Sequence, residues 1–62
     1  MRTYTLADLL MAIDKSLDLI LRHVQCGRYE AAIERCQQTK AAIRKTLTLP
    51  PPYNDKELID KL

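Results

Sequence analysis

Apolar residues recur in the first half of the chain at alternating steps of four and three residues, the period of an amphipathic α-helix. They are Leu6, Leu10, Ile13, Leu17, Ile20 and Val24. Thr5 precedes this series and Asp8 stands three residues later, the spacing of an N-terminal capping box. Gly27, the only glycine, is suited to the helix C-terminus because it adopts positive φ without a Cβ clash. The pattern predicts a helix over residues 6–25.

A second series follows with the same alternation of steps. It comprises Tyr29, Ile33, Cys36, Lys40, Ile43 and Leu47. Pro50, Pro51 and Pro52 then stop the helix, since proline lacks the backbone N–H and clashes with the preceding turn. This series predicts a second helix over residues 28–47. Two helices of similar length joined by so short a turn form an antiparallel αα-hairpin.

The two series are mirror images about the turn, so residues whose numbers sum to 53 are predicted to pair across the hairpin. The six predicted layers are Val24–Tyr29, Ile20–Ile33, Leu17–Cys36, Ile13–Lys40, Leu10–Ile43 and Leu6–Leu47. Lys40 is the polar exception. It is either a lysine whose stem covers the core edge or a registry device that fixes helix orientation, with Asp14 as its counter-charge.

The last part of the chain, residues 50–62, reads as a spacer and a short helix within the same single domain as the hairpin of residues 1–49. Asn54 and Glu57 have the spacing of a capping pair. Leu58, Ile59 and Leu62 would share one face of a helix too short to be stable by itself. This helix is predicted either to cover the open end of the hairpin, at Leu6, Leu47 and Leu49, or to dock on a partner.

The fold class is therefore all-α, and more apolar surface is present than one hairpin seam uses. We expect a homodimer that forms a four-helix bundle; the alternatives are a complex with another protein and a monomer with the tail folded back. Candidate partner-binding residues lie outside the two series. They are Leu9, Met11, Leu19, Leu21, Leu58, Ile59 and Leu62.

Composition narrows the function classes. The chain has 62 residues, 47% apolar and 29% charged, with a net charge of +2, which is too apolar for a disordered tail and too charged for a membrane span. Paired acid–base groups, a glycine-rich phosphate loop and a four-ligand metal set are not apparent, so neither enzyme nor cofactor is expected. Cys26 and Cys36, up to about 15 Å apart along a helix, are too distant for a disulfide. They predict free thiols in the reducing cytoplasm.

Four basic residues gather near the turn in sequence: Arg22, His23, Arg28 and Arg35. They form either a solvated helix end that suits the helix dipole or a basic patch for nucleic acid or an acidic partner. The second reading supports an alternative function, a dimeric helical-bundle regulator that binds nucleic acid.

Two short motifs add further hypotheses. The first is Gly27-Arg28-Tyr29-Glu30-Ala31-Ala32-Ile33-Glu34, which resembles the turn and second-helix start of a tetratricopeptide hairpin; the likeness extends over residues 20–43. The resemblance implies protein binding through helix faces and no catalysis. The second is Pro50-Pro51-Pro52-Tyr53, which matches the ligand motif of WW domains or serves as a helix stop. The sequence predicts a small non-enzymatic module that binds itself and another protein, as an adaptor, inhibitor or chaperone-like regulator.

Overall fold

Helix α1 spans Leu6–Gln25 in the computed structural model, which describes residues 3–62. Its predicted capping box is present: the Thr5 hydroxyl oxygen accepts from the Asp8 N–H (3.2 Å), and the Asp8 carboxylate accepts from the Thr5 N–H (2.9 Å). Gly27 has φ 76°, and the two N–H groups after the C-cap close a Schellman motif: Gly27 donates to the Val24 carbonyl and Arg28 to that of His23.

Helix α2 spans Tyr29–Leu47, one residue shorter than predicted at its start, and runs antiparallel to α1. It ends as the Thr48 hydroxyl donates to the Lys45 carbonyl at 2.7 Å. The prolines follow, with a cis bond between Pro51 and Pro52. The chain then returns to the N-terminal end of α1, where the Tyr4 N–H donates to the Tyr53 carbonyl at 2.6 Å.

Helix α3 spans Lys56–Lys61 and packs on both long helices. Its N-cap is Asp55, whose carboxylate accepts from the Leu58 N–H at 3.2 Å. The predicted cap at Asn54 is therefore wrong by one residue. Lys61 and Glu57, one helical turn apart, form an ion pair at 3.3 Å.

The core lies where α3 meets the hairpin. Leu58 and Leu62 of α3 are buried with Leu9 of α1 and Ala42 of α2. The tail does cover the hairpin, but not at the predicted place, because Leu6 and Leu47 stay exposed. What α3 covers is the small-residue side of the two helices.

The six predicted layers between α1 and α2 are wrong. Most of their members are exposed; Ile13, Ile20 and Ile43 are half-buried. The buried positions instead precede predicted layer residues by one place: Leu9, Ser16, Ala32, Thr39 and Ala42. One residue is about 100° around a helix, so both helices are rotated by about a quarter turn from the expected orientation. Alanine, serine and threonine at the seam let the two backbones approach closely, which long side chains would prevent.

Candidate interaction surface

The rotation leaves the large apolar residues of both helices on the surface. Eight of these side chains are 43–81% exposed. When successive residues are placed 100° apart around each helix, all eight lie within about 60° of the centre line of the predicted apolar stripe. We call this set the apolar face. It consists of Leu6, Leu10, Leu17, Leu21 and Val24 from α1 and Tyr29, Ile33 and Leu47 from α2.

Both stripes lie on the same side of the hairpin. In both helices the buried residues precede the stripe residues by one position, so each helix is rotated by the same angle about its own N-to-C axis. Because the two axes point in opposite directions, these rotations turn both stripes toward the same face of the hairpin. At the open end a groove of about 260 Å³ joins the two stripes, with Leu6 and Leu10 of α1 and Leu47 of α2 in its walls. The same groove reaches the core, because Leu9 and Leu62 also line it, with Tyr53 of the tail.

The opposite side of the hairpin is held closed by a polar contact as well as by the core. The Arg35 guanidinium donates to the Ser16 hydroxyl oxygen at 2.9 Å and to the Asp60 backbone carbonyl at 3.2 Å. One arginine of α2 therefore joins α1 and α3. Ser16 is 1% exposed, and satisfying a buried hydroxyl in this way avoids the desolvation cost of leaving it unpaired. The apolar face lies away from this junction, and its eight members stay 43–81% exposed, although Tyr53 and Leu62 border it at the open end.

Charges along the apolar face differ between its two helices. By helical phase, Asp14 and Asp18 flank the α1 stripe, whereas Lys40 lies in the α2 stripe with Arg44 beside it. The predicted pair of Lys40 and Asp14 does not form within the chain. Both residues are exposed, and among residues 3–62 the ion pair is the one within α3. The face thus has an acidic edge on α1; on α2, Lys40 and Arg44 lie toward its C-terminal half, and the exposed Glu30 lies near the turn at a similar phase.

The structure places the candidate partner-binding residues in four different settings. Leu9, Leu58 and Leu62 are 3%, 5% and 1% exposed; they form the core and are not available to a partner, which corrects the prediction for them. Ile59 is half-buried against the same core. Leu21 belongs to the apolar face. The two others are exposed elsewhere on α1: Met11 on its polar side, and Leu19 beside α3 in a depression that also includes Arg35 and Ile59.

Sequence reasoning missed the remaining seven members of the apolar face because it assigned them to the hairpin seam. The sequence does contain a signal for the observed helix orientation. Alanines, together with Ser16 and Thr39, stand one position before several residues of the two apolar series. Such a small-residue arc is the surface on which two helices approach most closely.

The four basic residues near the turn do not form one patch. Arg22 and Arg28 are exposed. Arg35 is half-buried and bonded to Ser16 and to the backbone of Asp60. His23 is half-buried, and its Nδ1 is shielded from solvent without a hydrogen-bond partner among the described residues. The predicted patch is thus reduced to two exposed guanidinium groups.

The tail and the thiols contribute little exposed chemistry. Tyr53 of the proline motif is half-buried and packs against the core, whereas WW recognition needs an extended, accessible ligand. Cys26 and Cys36 are exposed free thiols. Across residues 3–62, no group of three or more histidine, cysteine or acidic side chains could hold a metal ion.

Within the part of the chain that the structure describes, no helix has the length and apolarity needed to cross a membrane. The resemblance to a tetratricopeptide hairpin stays a prediction from the sequence. No protein-family model, curated protein or solved structure matches this chain at a significant level.

Proposed function

We propose that this protein is a non-enzymatic interaction module that binds protein surfaces through the apolar face. The observation that carries the proposal is the exposure of eight large apolar side chains on one side of a two-helix layer. Contiguous apolar patches of more than a few hundred Å² mark interaction sites on soluble proteins.

The positions of the core and of the polar contacts in the hairpin support this role. Both the core and the arginine junction lie on the α3 side, so the apolar face is not needed to hold the three helices together. The face is also presented by two regular helices, which keep their side chains in fixed positions. A rigid surface loses little conformational entropy when it binds, and this favours affinity.

The other hypotheses from the sequence have weaker support. A nucleic-acid regulator would need a concentrated basic surface, and of the four predicted residues Arg22 and Arg28 are exposed, whereas His23 and Arg35 are half-buried. A WW ligand would need an accessible tyrosine at position 53, where the side chain packs on the core. An adaptor, inhibitor or chaperone-like regulator can use the apolar face as it stands.

The test compares two charge substitutions on α1. Leu17→Glu places a carboxylate within the apolar face, and Met11→Glu places the same group on the polar side of the same helix. The wild-type residues are 51% and 64% exposed, so both variants are expected to keep the helical circular dichroism of the wild type.

Binding is then measured by affinity capture and by sedimentation. We expect Leu17→Glu to lose the proteins that the wild type binds, whether another protein or a second copy, while Met11→Glu retains them. The proposal is wrong if Leu17→Glu folds and still binds as the wild type does, or if both substitutions weaken binding equally.

A further inference from the structure

We infer that the apolar face is covered by a second copy of this chain, with α1 of each copy lying antiparallel on α2 of the other. The two-fold axis of this dimer runs parallel to the helices. The inference rests on the proposed function and names the occupant of the same surface. The product is a four-helix bundle with an α3 on each outer side.

The area of the face fits such a dimer. A large apolar side chain carries on the order of 100 Å² of surface. At the observed exposures, the eight residues of the apolar face therefore offer on the order of 500 Å². A standard interface buries about 800 Å² per partner and is about 56–65% apolar, which amounts to roughly 450–520 Å² of apolar surface.

Two hairpins can stack face to face with two-fold symmetry in two ways. An axis parallel to the helices places α1 on α2 of the other copy, whereas an axis perpendicular to them within the interface places α1 on α1 and α2 on α2. A two-fold axis parallel to the helices does not change the height of any residue along the bundle. A residue of α1 that is level with a residue of α2 in its own chain is therefore level with the same residue of α2 in the other copy.

The charges on the face distinguish these arrangements. The perpendicular axis reverses height along the bundle, so with the stripes fully overlapped Asp14 lies near Asp14 of the other copy and Lys40 lies near Lys40 of the other copy. Like charges placed together across an interface oppose binding. With the parallel axis, Asp14 of α1 faces Lys40 of α2 in the other copy, whereas Asp18 is level with residues 33–35 and faces neither Lys40 nor Arg44. Arg28 lies at the turn beyond the apolar residues, where water and salt screen its charge.

The level of Asp14 matches that of Lys40 in the other copy. The contact between Ser16 and Arg35 and the groove that joins Leu6 with Leu47 show that residues at one level have numbers summing to 51–53. Asp14 is therefore level with residues 37–39, and Lys40 is at most about 5 Å away along the axis at 1.5 Å per residue. A lysine side chain spans that offset, so each dimer contains two such ion pairs.

The same geometry gives the mirrored stripes a structural role. Residues predicted to pair within one chain, such as Leu10 with Ile43 and Leu17 with Cys36, would pair between copies at the same level. The six predicted layers thus become the layers of the dimer interface. Lys40 would then fix register and orientation, as one polar residue in a helical interface does, but between two chains.

The experiment exchanges the charges at positions 14 and 40 and measures dimerisation by sedimentation equilibrium. The wild type is expected to be a dimer, twice the 7.2 kDa chain mass, at micromolar concentration. Asp14→Lys alone and Lys40→Asp alone should each raise the dimer Kd by about tenfold or more, since like charges then face each other. An equimolar mixture of the two variants should return the Kd to near the wild-type value, because every contact between positions 14 and 40 again joins a lysine to an aspartate.

Each alternative result overturns the inference in a recognisable way. A wild-type monomer at high micromolar concentration would refute the second copy as occupant; capture lost in Leu17→Glu would still support the proposed function. Tighter dimerisation of Asp14→Lys would indicate α1 packed on α1. A double variant that carries Asp14→Lys and Lys40→Asp in one chain is the control. If it dimerises like the wild type while the mixture does not, the ion pair lies within one chain. Circular dichroism of each variant checks that both exposed substitutions leave the helices folded.

Discussion

Leu9 and Leu17 offer a direct test of how α1 is oriented. Both are leucines of the same helix, eight residues apart, and the same substitution to alanine can be made at each. The hydrophobic series places Leu17 in a central layer and leaves Leu9 outside it. The structure reverses this, with Leu9 3% exposed and Leu17 51% exposed.

The expected losses follow from these burials. Leucine to alanine removes three carbons, and each buried carbon is worth about 0.8 kcal/mol. At Leu9 this gives about 2.5 kcal/mol, and the cavity left among Leu58, Leu62 and Ala42 brings the total to roughly 3–4 kcal/mol. Leu17 is about half exposed, so its truncation forfeits about half of that transfer free energy and leaves no enclosed cavity. The expected loss in free energy of unfolding is about 1 kcal/mol. A chain of 62 residues has a free energy of unfolding of about 3–9 kcal/mol.

The assay is urea unfolding followed by circular dichroism, at two protein concentrations. In dilute protein, where dimers dissociate, Leu9→Ala should greatly lower the unfolding midpoint and Leu17→Ala should lower it slightly. At high concentration the wild type gains stability by mass action, and Leu17→Ala should lose much of that gain. Equal losses for the two variants in dilute protein would refute the orientation of α1 described here.

Three further changes test other parts of the fold. Truncation after Leu49 removes α3 and uncovers the core, so we expect a lower Tm and aggregation on heating, measured by circular dichroism and light scattering; an unchanged Tm would contradict the packing of α3. Arg35→Met should lower the free energy of unfolding in urea by about 1–3 kcal/mol because two hydrogen bonds are lost. Arg28→Met, an exposed control, should change it by less than about 0.5 kcal/mol. Gly27→Ala should cost about 1 kcal/mol in the same assay, since φ is 76° and the space around the added Cβ is open; an unchanged midpoint would show that the turn relaxes without cost.

The sequence by itself determined the helical elements. Their bounds depend on local signals: the capping box at Thr5 and Asp8, the glycine after α1 and the prolines after α2. Each of these acts within a few residues, so it can be read from the chain without knowledge of distant contacts. The short third helix was also predicted, although its cap is Asp55 and not Asn54.

Only the tertiary structure decided which side of each helix faces inward. A helical period shows which residues share a face, but two faces one residue apart in phase can both be packed against a neighbour. Here the small residues of α1 and α2 allow close approach, and α3 supplies Leu58 and Leu62 to complete a core around Leu9 and Ala42. The strongest apolar stripe was therefore left on the surface. That outcome depends on contacts between segments about 50 residues apart, which no local pattern in the chain specifies.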